Sequence, residues 1–138
     1  MLVQRRPRFR DPFTPDTQHE LAAMVAEILD VAKRDGTKIQ ATAAELGGTP
    51  NQILAMAITE MISERLREGL PRTHPFLKEG VGQQVACLVL AALDRFDAAE
   101  YEVRGFAEEQ GVPFNQHVGA AIALLVVERF RKELPKNP

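Results

Sequence analysis

At 138 residues and 15.3 kDa the chain has room for one compact domain or two small sub-domains, which excludes a large multidomain enzyme. Hydrophobic residues at 45% and charged residues at 26% match a globular protein, and 17 Lys and Arg against 19 Asp and Glu leave a net charge of −2, so no global cationic field recruits nucleic acid or anionic lipid. A single cysteine excludes a disulfide framework and a Cys-rich zinc site, apolar runs of about ten residues are too short to span a bilayer, and with no signal peptide a reducing cytoplasm is the expectation.

The opening MLVQRRPRFR carries Arg5, Arg6, Arg8 and Arg10, a charge of +4 against a net of −6 for residues 11–138. Residues 1–11 therefore read as a basic N-terminal arm. Arginines spaced along an extended, Pro-interrupted segment suit phosphate contacts or minor-groove insertion, because a guanidinium fork pairs with phosphate without a fixed scaffold. An acidic protein surface attracts the same arm, and a solvated tail or an arm folded onto the acidic body has neither role.

After the arm, start signals at Thr14-Pro15-Asp16 and Thr17-x-x-Glu20, with Leu21, Met24, Val25, Ile28 and Ala32 at helical spacing, predict a helix over 15–34 that ends near Gly36. A capping box at Thr37-x-x-Gln40 predicts a second helix, stopping at Gly47-Gly48. Thr49 as N-cap, Pro50 at the first helical position and Gln52 reaching back to the cap predict a third, running to about Glu68 with Gly69 and Pro71 as its stop. A fourth is expected over about 76–96, with Val85–Leu93 buried, and a fifth from an Asp97-x-x-Glu100 box to Gly111. The sixth starts at Pro113 or Asn115, ends near Glu133 and contains Val118–Val127, ten residues without a polar side chain and expected to be buried. No strand alternation of useful length follows Phe13, so the class is all-α.

The helices fall into two sets of three. Residues 51–71 and 115–135 are identical at nine of 21 positions at a constant offset of 64, including the Asn-Gln start and the Leu-Pro stop; Leu29-Asp30 likewise matches Leu93-Asp94. Chance similarity between two amphipathic helices reproduces the apolar period but not the start and the stop. The reading is a tandem repeat, 12–71 and 72–138, packed as one unit about a pseudo-twofold. Two helices so apolar also point to a central position or a subunit interface, and hence to a homodimer.

Little in the chain suggests chemistry. His19, His74 and His117 are scattered, no HExxH, ExxH or CxxC spacing holds a metal, and no phosphate-binding glycine loop follows a strand. Cys87 lies within VACLVLAAL with no base or cation adjacent, which reads as a small buried hydrophobe. Glu100-x-Glu102 and Glu108-Glu109 read as a solvated face rather than paired catalytic carboxylates. No enzyme, cofactor or metal is expected. Glu64–Arg67 and Glu128–Arg131 set cations at two helix C-termini, worth ~0.3–1 kcal/mol each through the helix dipole. The dipole is the default reading; the alternative, with the two sets paired by symmetry, is one basic surface with Arg72 and Lys132.

The segment ATAAELGGTPNQILAMAI at 41–58 resembles a helix-turn-helix, with Gly47 or Gly48 at the turn and a capped second helix. It also resembles the helix-loop-helix half of ribbon-helix-helix and HicB-type antitoxins, whose second helix often begins Ser/Thr-x-Asn-Gln; here that is Thr49-Pro50-Asn51-Gln52, echoed by Asn115-Gln116 after Pro113. The resemblance implies that these helix starts face DNA, with Thr49, Asn51 and Gln52 as reading positions and Asn115 and Gln116 as their second copy. Capping chemistry used twice accounts for the same residues. Together the arm and the helix starts lead to the expectation of a small cytoplasmic DNA-binding or nucleic-acid-accessory regulator; the alternative is a non-enzymatic protein–protein interaction module acting as a homodimer.

Overall fold

A computed structural model describes residues 10–135. Helix α1 (Pro15–Arg34) begins where the sequence places it, with Thr14 Oγ1 accepting the amide of Thr17. Helix α2 (Gly36–Leu46) begins one residue before Thr37, so the expected Thr37 box does not form. Asp35 serves as the junction of both helices: its amide donates to the Val31 carbonyl and its own carbonyl accepts the Ile39 amide, which leaves Thr37 inside the first turn. The same one-residue hinge recurs at Ala99, between α4 (Val81–Ala98) and α5 (Glu100–Gln110), and places Asp97 in the last turn of α4 rather than at a cap. Asp35 and Ala99, 64 residues apart, share nearly the same backbone angles, −106°, 30° and −110°, 25°.

Helix α3 (Pro50–Gly69) carries the complete capping box between Thr49 and Gln52, and α6 (Phe114–Arg131) starts after Pro113 with no side-chain cap. The fourth expected helix is divided: a 3₁₀ turn at Pro75–Leu77 precedes α4, and Gly80 separates them at φ 89°. The described residues thus form six α-helices and this one turn, with no strand.

Four long helices make the core. α1 packs on α6, α3 on α4, and the two pairs join through α4 on α6 and α1 on α3. Leu21, Val25, Ile58, Ile62, Val85, Ile122 and Val126 are almost fully buried between them; each such side chain contributes about 1.5–3 kcal/mol on burial. Phe13, Phe76 and Phe130 close one end, with ring centroids 5.2–6.0 Å apart. The short helices α2 and α5 lie outside and each buries one alanine, Ala43 and Ala107.

Two burial expectations need correction. Within Val118–Val127, Leu124 is 51% exposed and Leu125 37%, because α6 meets α1, α4 and α5 on its other sides and leaves one stripe open. Cys87 is also exposed: Val85 and Val89 of α4 turn inward, and Cys87 falls between them on the outer face. No helix among the described residues is long and apolar enough to cross a membrane.

Candidate functional site

The two predicted helix starts are engaged in ties across the chain. Thr49 Oγ1 accepts the Gln52 amide at 3.3 Å and Gln52 Oε1 accepts the Thr49 amide at 2.8 Å, both side chains lying at the surface. Asn51 is half-buried, and its Nδ2 donates to Asp94 Oδ1 at 2.8 Å and Asp97 Oδ2 at 2.7 Å on α4. Asn115 Nδ2 donates to Asp30 Oδ1 on α1 at 2.6 Å. Asn51 and Asn115 are 64 positions apart, and so are Asp30 and Asp94. Each asparagine therefore reaches the corresponding aspartate in the other half of the chain. Gln116 is exposed. A shallow pocket of about 260 Å³ adjoins the first start, walled by Thr49–Gln52 with Leu90, Asp94 and Asp97, so an approaching phosphate meets two carboxylates there.

The other end of the bundle carries Arg10. Arg5, Arg6 and Arg8 lie outside the described residues; Arg10 is exposed, and its carbonyl accepts from His74 Nε2 at 2.7 Å. The Phe76 amide donates to His74 Nδ1 at 3.1 Å, which fixes the buried imidazole as the Nε2-protonated tautomer. Arg10 is thereby held beside the connection from α3 to α4. Arg131, in the last turn of α6, donates from Nε to Asp11 Oδ2 at 2.7 Å and from Nη2 to the Phe13 carbonyl at 3.0 Å. Arg65 pairs with Glu20, and Arg129 bonds Gln84 at the same offset of 64.

These contacts bring the ends of α3 and α6, the starts of α1 and α4 and the root of the arm together. Stretches 10–20, 60–79 and 128–135 hold eight Lys and Arg with nine Asp and Glu, whereas 21–59 and 80–127 hold five with ten. Among the described residues the first end is therefore close to neutral, and the end with the helix starts is the acidic one. Thr49, Asn51, Gln52, Asn115 and Gln116 thus lie at the opposite end from Arg10.

Sequence reasoning missed the partners Asp30, Asp94 and Asp97, although the match of Leu29-Asp30 with Leu93-Asp94 carried the signal. It also missed a second internal likeness, Asp11-Pro12-Phe13 with His74-Pro75-Phe76 at an offset of 63. In each, the first side chain accepts the phenylalanine amide, Asp11 Oδ1 at 2.9 Å and His74 Nδ1 at 3.1 Å, and the two rings stack. Comparison with family models, curated proteins and solved structures gives no match.

Proposed function

We propose that the chain is a small, non-enzymatic, cytoplasmic nucleic-acid-accessory or regulatory protein, built as two tandem three-helix repeats about a pseudo-twofold, that meets the phosphate backbone with the end bearing the arginine arm. The observation that carries this reading is a difference in charge between the ends: Arg10 is held at His74, where eight Lys and Arg stand with nine Asp and Glu, while the opposite end has five with ten. Affinity for phosphate comes from that first end and is sequence-independent. The reciprocal ties of Asn51 to Asp94 and of Asn115 to Asp30 support the repeat reading. They also support a role for these asparagines in holding the halves together, as the capping box supports one for Thr49 and Gln52 at the start of α3. The helix-turn-helix resemblance then describes the local form of α2 and α3, joined through Gly47 at φ 73°.

The test is a mobility-shift titration on duplex and single-stranded DNA at two salt concentrations. Binding should weaken with salt by about 0.9 in log K per log salt for each phosphate neutralised on duplex, and deleting residues 1–10 should lower that slope by up to about four. No binding at low salt ends the reading. A second reading, association of two copies, is favoured by the exposed Leu124 and Leu125 on α6. A protein partner on that stripe is the alternative. Sedimentation of the chain and of its Leu124→Gln/Leu125→Gln variant tests it: a dimer that the double substitution converts to monomer supports self-association.

A further inference from the structure

A cavity of about 640 Å³ opens at the same end as Arg10, between the last turns of α3, the connection through Pro75–Leu77 and the first turns of α4. Arg67, Arg72 and Lys78 border it, Ser63 and Gln83 add polar groups, and Leu66 and Leu77 supply an apolar floor. The first turn of α4 holds no acid. Arg72 and Lys78 form no ion pair with a described residue.

The other half of the chain shows what the third cation does when an anion is at hand. Arg131, 64 positions after Arg67, grips the Asp11 carboxylate and the Phe13 carbonyl. In the matching turn, at the start of the second repeat, the aspartate is replaced by His74, whose imidazole bonds the Arg10 carbonyl and the Phe76 amide. Arg67 therefore has no carboxylate from its own turn and reaches instead to Glu60, with both side chains more than half exposed. Such an exposed pair exchanges readily for a stronger anion. The cavity keeps the arginine, adds two cations that form no ion pair with a described residue, and lacks the anion that Asp11 supplies to Arg131.

We propose that this cavity binds a terminal phosphate of nucleotide size, with the phosphate on Arg67, Arg72 and Lys78 and the sugar and base over Leu66 and Leu77. A guanidinium pair and an ammonium suit a phosphomonoester, which carries close to two negative charges near pH 7. The volume lies in the range of small-ligand sites and exceeds that needed for a bare phosphate ion. The same group is presented by a free nucleotide and by the 5′ end of a strand. The site rests on the nucleic-acid reading for the second source alone.

The full chain is titrated with a labelled oligonucleotide bearing either a 5′ phosphate or a 5′ hydroxyl, and separately with adenosine monophosphate and with inorganic phosphate. The 5′-phosphorylated strand should bind about tenfold tighter, the mononucleotide should compete for that difference, and inorganic phosphate should compete more weakly. Arg72→Ala and Lys78→Ala, both at surface positions, should each erase most of the preference, whereas Lys38→Ala on α2 should change it less than twofold. Equal, salt-dependent binding of both strands overturns the pocket and leaves the nucleic-acid reading standing. Mononucleotide binding that Arg72→Ala abolishes, with no strand bound, supports the pocket and ends that reading. No binding by any probe overturns both.

Discussion

Replacing Gly119 by alanine tests how closely α1 and α6 are packed. A Cβ built at Gly119 lies 2.8 Å from the Ala22 carbonyl oxygen, 2.9 Å from the Ala26 amide nitrogen and 3.1 Å from the Ala26 Cβ. Ordinary contacts of these kinds lie near ~3.3–4 Å, and two of the three colliding atoms are backbone that no rotamer change can move. The helices must therefore separate by roughly half an ångström, and a gap of that order forfeits a quarter or more of the dispersion energy along the seam. Overpacking of this kind costs about 1–3 kcal/mol, here toward the upper part, and the better helix propensity of alanine returns about 1 kcal/mol. The net expectation is a loss of about 1–2 kcal/mol, or roughly 3–10 °C in Tm for a chain of this length. Gly105→Ala is the control, since no atom lies within 4 Å of its Cβ and it sits inside α5. Propensity alone then acts, and Tm should rise by roughly 2–5 °C. Thermal unfolding followed by circular dichroism measures both. Equal gains in the two variants would refute the close approach of α1 and α6.

Other substitutions probe single features. Thr59 is buried and its Oγ1 has no hydrogen-bond partner among the described residues, so Thr59→Val should stabilise by about 1 kcal/mol in denaturant unfolding. Thr49→Ala removes the cap of α3 and should cost about 1 kcal/mol by the same measurement, with the salt dependence of DNA binding unchanged. Asn51→Asp sets a third carboxylate against Asp94 and Asp97 and should destabilise more than Asn51→Ala; the difference should shrink in high salt, since these groups lie near the surface.

The local parts of the fold were legible because their causes are local. Thr14, Thr49, Gly47 and Gly111 act within one turn of chain, and they bound helices where the sequence places them. The hinges at Asp35 and Ala99 were misplaced because Thr37 and Asp97 look like caps only if the chain leaves the helix, and here it does so for a single residue. Exposure of Cys87, Leu124 and Leu125 depends on which faces the neighbouring helices leave open, and a run of apolar letters does not encode that. The same holds for the helix starts. Asn51-Gln52 reads as cap or as base reader from the sequence, and the bonds of Asn51 to Asp94 and Asp97 depend on where α4 lies, which the local sequence does not encode.

The informative residues are those where two similar halves differ. Ala55 and Gly119 occupy matching positions, and the glycine is where a backbone crosses another at a distance a methyl group would close. Lys33 follows Asp30 at the spacing where Asp97 follows Asp94, so one asparagine answers one carboxylate beside a cation and the other answers two. Asp11 and His74 accept the same kind of amide hydrogen bond, yet only Asp11 brings a charge to the nearby arginine. Mutual packing constrains the shared positions, and burial explains them without reference to a partner. Where one half has given up a charge that the other keeps, as at His74, packing supplies no such reason: the imidazole fills its place in the core and satisfies its hydrogen bonds, while Arg67 is left facing the cavity. Those differences direct the search for a ligand to the cavity that Arg67 borders.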